Sequence, residues 1–127
     1  MRLRRRLALE RQPDNPLSLS QMTVLGSLHR HGELTIGQLA AHERVQPPSM
    51  TRTVTHLVDG GYVVRRPDAS DGRQVLVTLS DLGRQTLLAD RRRRDAWLAR
   101  RLTELTPDER EVLRAAVPLL DRLAHKD

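Results

Sequence analysis

The sequence contains no cysteine and no phenylalanine, and Trp97 and Tyr62 are its only Phe, Trp or Tyr residues. Without cysteine there is no disulfide, no thiolate metal site, no cysteine nucleophile and no thiol redox switch. With so few aromatics, the core must be built from Leu, Val, Ile, Ala and Met. A base-stacking platform for single strands is equally out of reach. Long apolar runs are missing too. No segment approaches the roughly 20 apolar residues that span a bilayer. The basic opening is not followed by an apolar stretch of signal-peptide length. A soluble, cytoplasmic protein with no membrane partner is expected.

Catalytic patterns are also lacking. There is no phosphate-binding glycine loop and no nucleophile–base spacing. Asp68, Asp71 and Asp81 stand in turns and helix starts, where aspartate is expected for structural reasons. The five histidines are scattered, and His29 and His31, two apart, do not share a helical face. No enzyme, no cofactor and no metal site is expected.

At 127 residues the chain suits a single domain. An apolar share of 38% against 30% charged suggests helices with wide solvated faces, or pairing with a second copy. The net charge of +6 favours an anionic partner, nucleic acid ahead of a membrane surface. The arginines crowd at Arg2, Arg4, Arg5 and Arg6 and again at Arg91 to Arg94, while the middle is close to neutral. Local motifs must therefore carry the functional argument.

A short basic helix opens the chain, with Leu3 and Leu7 at helical spacing, and Pro13-Asp14-Asn15-Pro16 ends it. Ser18 with Gln21, and Thr35 with Gln38, are capping-box patterns. They start a second helix carrying Met22, Leu25 and Leu28, and a third carrying Ile36, Leu39 and Ala40. Pro47 and Pro48 fit the first turn of a fourth helix, where a missing N–H costs nothing. Gly60-Gly61 predicts a left-handed cap at its end. The period then switches to that of strands. Tyr62 to Arg65 and Val75 to Leu79 predict a two-stranded hairpin with a polar tip. Ser80 caps a fifth helix of about 24 residues, roughly 36 Å. Thr106-Pro107-Asp108-Glu109 caps a sixth, which Pro118 should kink.

Helix, brief turn, helix and hairpin make a winged helix-turn-helix. Met50, Val54 and Leu57 give the fourth helix an inward face. Ser49, Thr51, Arg52, Thr55 and His56 are left outward, with no carboxylate before Asp59 to repel phosphate. Arginine can take guanine bidentately, and small hydroxyls can approach bases or phosphates. At the wing tip Gly72 permits a tight turn. Arg73 can then project, with Asp71 holding its guanidinium or a nearby backbone N–H. An arginine on a narrow tip suits the minor groove. The last helix carries Val112, Leu113, Ala116, Val117, Leu119, Leu120, Leu123 and Ala124, more apolar surface than one neighbour covers. A second copy of the chain is the simple remedy.

The stretch from Pro48-Ser49-Met50-Thr51-Arg52 through Gly61-Tyr62-Val63-Val64-Arg65 resembles the MarR family of winged-helix regulators. So does Asp71-Gly72-Arg73 with the Val75-Leu76-Val77-Thr78-Leu79 strand and Gly83 three residues past the Ser80 cap. Leu19-Ser20-Gln21, Val24-Leu25, Leu34-Thr35 and Leu39-Ala40 extend the likeness, which runs from about residue 17 to about 88.

The resemblance implies a mainly α fold with a small β-hairpin wing. Residues 17–83 would form the winged helix-turn-helix, and residues 1–16 and 84–127 the dimerisation helices of one MarR-like domain. It implies a homodimer interleaved through Leu3, Leu7, Leu113, Val117, Leu120 and Leu123. Each protomer would read half of a palindromic site in double-stranded DNA. Pro48, Ser49, Thr51, Arg52, Thr55, His56, Arg65, Asp71 and Arg73 would be the DNA-binding residues, with Arg73 in the minor groove. Most relatives repress nearby genes, and many release DNA when a small lipophilic or phenolic effector binds near the dimer interface. Trp97 and the second helix are where such a pocket would be sought. The opening helix is short for the family, pointing to a smaller dimer interface or a late start. The competing readings are a winged helix used for protein contact and a nonspecific architectural DNA binder. A membrane-surface role for the opening helix would need a bulkier apolar face than Leu3 and Leu7 supply.

Overall fold

Three helices begin with the capping boxes that the sequence announces. In the computed structural model, which describes residues 2–125, Ser18 accepts from the Gln21 N–H at 3.1 Å. The Gln21 side chain returns the bond to the Ser18 N–H at 2.8 Å. Thr35 with Gln38 and Thr106 with Glu109 repeat the exchange. These caps fix the starts of α2 (Leu19–His31), α3 (Ile36–Glu43) and α6 (Pro107–Ala124). Between and around them lie α1 (Arg2–Leu9), β1 (Leu34–Thr35), α4 (Pro47–Asp59), β2 (Val63–Pro67), β3 (Val75–Leu79) and α5 (Asp81–Leu102).

The sheet has three strands, not two, in the order β1-β3-β2. Leu34 pairs with Val77 and Thr35 with Leu76. A two-residue strand is too short to show a period, so sequence reading assigned Leu34-Thr35 only to the entry of α3. The hairpin register runs from Val63 opposite Leu79 to Pro67 opposite Val75. Val63 and Val77 are buried, while the ribbon beyond Val63 is exposed along β2. The wing thus roots in the core and projects outward.

The core joins α2, α3, α4 and the sheet through Val24, Leu25, Leu39, Val54, Leu57 and Val77, each at most 1% exposed. The left-handed residue closing α4 is Gly61, with φ of 81°, whereas Gly60 stays right-handed at −81°. The cap expected from the glycine pair therefore depends on its second member.

α1 is shorter than expected, eight residues. The segment after it is tied instead to α5. Asp90, 2% exposed, accepts from the Gln12 N–H and from the Asn15 side-chain amide, both at 2.9 Å. Arg11 Nε stands 3.5 Å from the same carboxylate. Asp90→Ala should cost about 2–3 kcal/mol, because the Gln12 N–H and the Asn15 amide lose their acceptor in a part-buried site. Urea unfolding of the variant measures this, and a change under about 0.5 kcal/mol would mean that Asp90 is no anchor.

α5 runs 22 residues, about 33 Å. α6 continues through Pro118 as one helix and has no buried residue. Along it Val112, Val117, Leu119, Leu120 and Leu123 are each more than half exposed.

Candidate DNA interface

Met50, Val54 and Leu57 face inward, at 3%, 0% and 0% exposure. That orientation leaves Pro48, Ser49, Thr51, Arg52 and His56 exposed on the opposite side of α4, with Thr55 half-buried at its edge. Pro47 and Pro48 occupy the first turn, and Gln46 gives no side-chain cap. Both prolines lack an N–H, so this helix start offers fewer donors to an anion than an ordinary one. Pro48 can contribute shape but no backbone hydrogen bond.

The threonine hydroxyls are already committed as donors. Thr51 Oγ1 donates to the Pro47 carbonyl at 3.0 Å and Thr55 Oγ1 to the Thr51 carbonyl at 2.8 Å. Each therefore presents a methyl group and free lone pairs. Such a group accepts from a base amino group more readily than it donates to a phosphate. Arg52 makes no ion pair among the described residues, which leaves its whole guanidinium fork outward.

The wing separates its arginines. Arg66 forks onto Glu33, with Nε 3.0 Å from one carboxylate oxygen and Nη2 on the other. This bond and the glutamate's charge raise the Arg66 pKa. The pair ties β2 to the turn before β1. Sequence reading missed it, because Glu33 and Arg66 are 33 residues apart. Arg65 and Arg73 are exposed and free of ion pairs among the described residues.

The tip is held by two aspartates. Asp68 accepts from the Ser70 N–H at 3.0 Å and from its hydroxyl at 2.9 Å, bonds that lower its pKa. They stabilise the tip fully above the ordinary carboxylate range and are lost as pH falls through the lowered value. Asp71 accepts from the Arg73 N–H at 3.1 Å. Of the two roles open to Asp71, the structure realises the backbone one, and the Arg73 guanidinium projects unheld. Gly72 is not in the left-handed region and has open space where a Cβ would sit, so the turn does not require glycine.

At the wing root, three elements meet. Ser80 Oγ accepts from the Gly83 N–H at 3.0 Å and donates to the Gly61 carbonyl at 2.6 Å. The Ser80 N–H donates to the Tyr62 carbonyl at 3.1 Å. A Cβ on Gly83 would fall 2.0 Å from that carbonyl oxygen.

The remaining candidates lie apart from this face. Trp97 is 8% exposed, with the Arg6 and Arg101 guanidiniums 4.9 and 5.5 Å from its ring centre. The cleft beside it is walled by charged side chains, among them Glu10, Arg93 and Arg100. Leu3 is exposed and Leu7 half-buried on α1. Leu113 is 45% exposed on α6, beside the more exposed Val117, Leu120 and Leu123. The His31 and His42 rings stack at 4.5 Å. Among the described residues no group of three or more His, Cys, Asp or Glu is placed to hold a metal. No described helix is long and apolar enough to cross a membrane.

The model of the MarR family matches residues 17–75, the span from α2 through the wing to the start of β3. An HTH-type transcriptional regulator of Mycobacterium bovis is 49% identical over 120 residues, covering 94% of this chain and 83% of the relative.

The chain belongs to the MarR family.

The HTH-type transcriptional repressor MdtR of Bacillus subtilis is 32% identical, covering 86% of this chain and 67% of its own. A Pseudomonas aeruginosa protein solved as a crystal structure and described as a transcriptional regulator superposes with a TM-score of 0.87 at 38% identity. That likeness covers 99% of this chain and 88% of the other. The mainly helical fold with its small antiparallel sheet is thus that of MarR-family winged-helix regulators, and α4 is the helix placed to read DNA.

Proposed function

We propose that this MarR-family chain is a sequence-reading repressor that binds double-stranded DNA as a homodimer, each protomer taking one half of a palindromic operator. The carrying observation is the outer face of α4, acid-free before Asp59, with Ser49, Thr51, Arg52 and His56 exposed. Arg65 and the unheld Arg73 extend that face along the wing. The name borne by MdtR supports repression as the sign of control. The uncovered α6 supports the homodimer, since an apolar face this exposed calls for a second copy.

Arg52 and Arg73 are expected to act differently. Arg52→Ala should cost about 1–3 kcal/mol and relax preference at one position in each half-site. Arg73→Ala should weaken binding and flatten its salt dependence, because it removes a groove-bound cation. The test is binding to DNA selected from a random pool, against scrambled duplex, across a salt series. Equal binding to both duplexes would instead favour the architectural reading. Unchanged affinity in both variants would favour a wing used for protein contact.

A small lipophilic or phenolic effector would act through the open cleft of about 350 Å³ among Gln12, Asn15, Tyr62, Leu82 and Gln85. This cleft touches the α1–α2 connection, the wing root and α5 together. Trp97 does not line it.

A further inference from the structure

The net charge of this chain does not lie where DNA is read. Residues 17–83 carry six arginines and six carboxylates, a balance of zero. Residues 2–11 carry five arginines against one glutamate, and residues 84–102 carry seven against two aspartates. Residues 103–125 reverse the sign, with three arginines against five carboxylates. The excess therefore resides on α1 and α5.

Folding gathers part of it into one ridge. Glu10 binds Arg6 at 2.6 Å and Arg93 at 3.6 Å, joining α1 to α5. Two adjoining clefts share Glu10, Arg93 and Arg100, one reaching Arg101 and the other Arg92. Arg92 and Arg100 are exposed and have no ion pair among the described residues. Nothing in this chain neutralises them.

The ridge is also separate from the apolar surface of α5. Leu98 and Leu102, the half-buried leucines near its far end, lie at least about 120° round the helix from Arg92, Ala96 and Arg100. A partner's α6 seated on those leucines leaves the arginines free. Along the axis, Arg92 and Arg100 stand about 14 and 25 Å beyond Gly83 at the wing root. That carries them away from the half-site under α4.

We propose that this ridge is a second DNA surface, which holds backbone phosphates of duplex outside the half-site. The inference rests on the DNA-binding reading above. An unpaired guanidinium is matched to phosphate oxygens. The neutral winged lobe supplies little long-range attraction of its own, so the ridge supplies the nonspecific share of affinity. Spaced arginines with no apolar residue between them but Ala96 suit a phosphodiester backbone better than a lipid surface, which also needs insertion of bulky apolar groups.

The test uses the full chain and two duplexes with the same selected site, one trimmed to the site and one extended on both sides. Affinity is measured across a salt series. Arg92→Ser with Arg100→Ser should flatten the log–log salt slope on the long duplex by about 3 to 4, at about 0.9 for each of the four arginines removed per dimer. The slope on the trimmed duplex should not change. Arg92→Lys with Arg100→Lys should restore it, which separates charge from folding. Equal slopes for variant and parent on the long duplex would overturn the second surface while leaving the half-site reading intact. An equal loss on both lengths would overturn it as well, by placing the arginines at the half-site. Retention of the parent but not the variant on phosphatidylserine vesicles, with an unchanged DNA slope, would overturn it in favour of lipid. Failure of the parent to bind either duplex would overturn both readings together.

Discussion

Gly83→Ala should destabilise the fold by about 3 kcal/mol or more, as a fall in the urea midpoint at unchanged slope. The new Cβ would sit 2.0 Å from the Tyr62 carbonyl oxygen and 3.0 Å from its carbon. Neither atom can swing aside as a side-chain tip can. The oxygen already accepts from the Ser80 N–H, so moving it also breaks the junction between wing and α5. Gly72→Ala is the control, since its Cβ would meet open space and its change should stay within about 0.5 kcal/mol. Equal stability for both variants would show that the wing root can shift at little cost.

Val117→Asp combined with Leu120→Asp should break the dimer. In the single chain these residues are 60% and 61% exposed. If the monomer were the working form, two aspartates there would change stability by about 0.5 kcal/mol or less each. In an apolar interface they place four carboxylates per dimer where water is excluded. The dissociation constant of the dimer should rise at least about a thousandfold, about 4 kcal/mol. Operator affinity should fall with it, since half-sites held by separate monomers lose their shared attachment. Sedimentation equilibrium reads the first effect. A variant that sediments like its parent would rule out α6 as the interface.

Elements with a strong local signal were legible before any coordinates. The capping boxes at Ser18, Thr35 and Thr106 each need only four consecutive residues, and all three formed. The inward triad of α4 follows from helical spacing alone. What the sequence concealed were contacts between distant residues. Glu33 and Arg66 look like two ordinary surface charges until β1 brings their neighbours together. Asp90 reads as one more polar residue in a charged helix. Its position was nonetheless informative. It stands three residues after Leu87 and seven before Trp97, on the buried stripe of α5, where an unpartnered carboxylate would be costly. A search for polar residues on apolar stripes would have found it. The separation of Arg66 from Arg65 and Arg73 was beyond such a search, because only the fold decides which arginine meets a carboxylate.

The knot of Ser80, Gly61, Tyr62 and Gly83 makes α5 a stiff lever with its fulcrum at the wing. The long arm is about 33 Å of continuous helix, and the short arm is the end of α4 itself. A tilt of about 5° at that fulcrum sweeps the far end of α5 through about 3 Å over such a length. Motion runs equally well the other way. Seating α4 in a groove must turn the arm that carries Trp97 and Arg100, so a reading event at one end becomes a displacement at the other without any loop having to unfold.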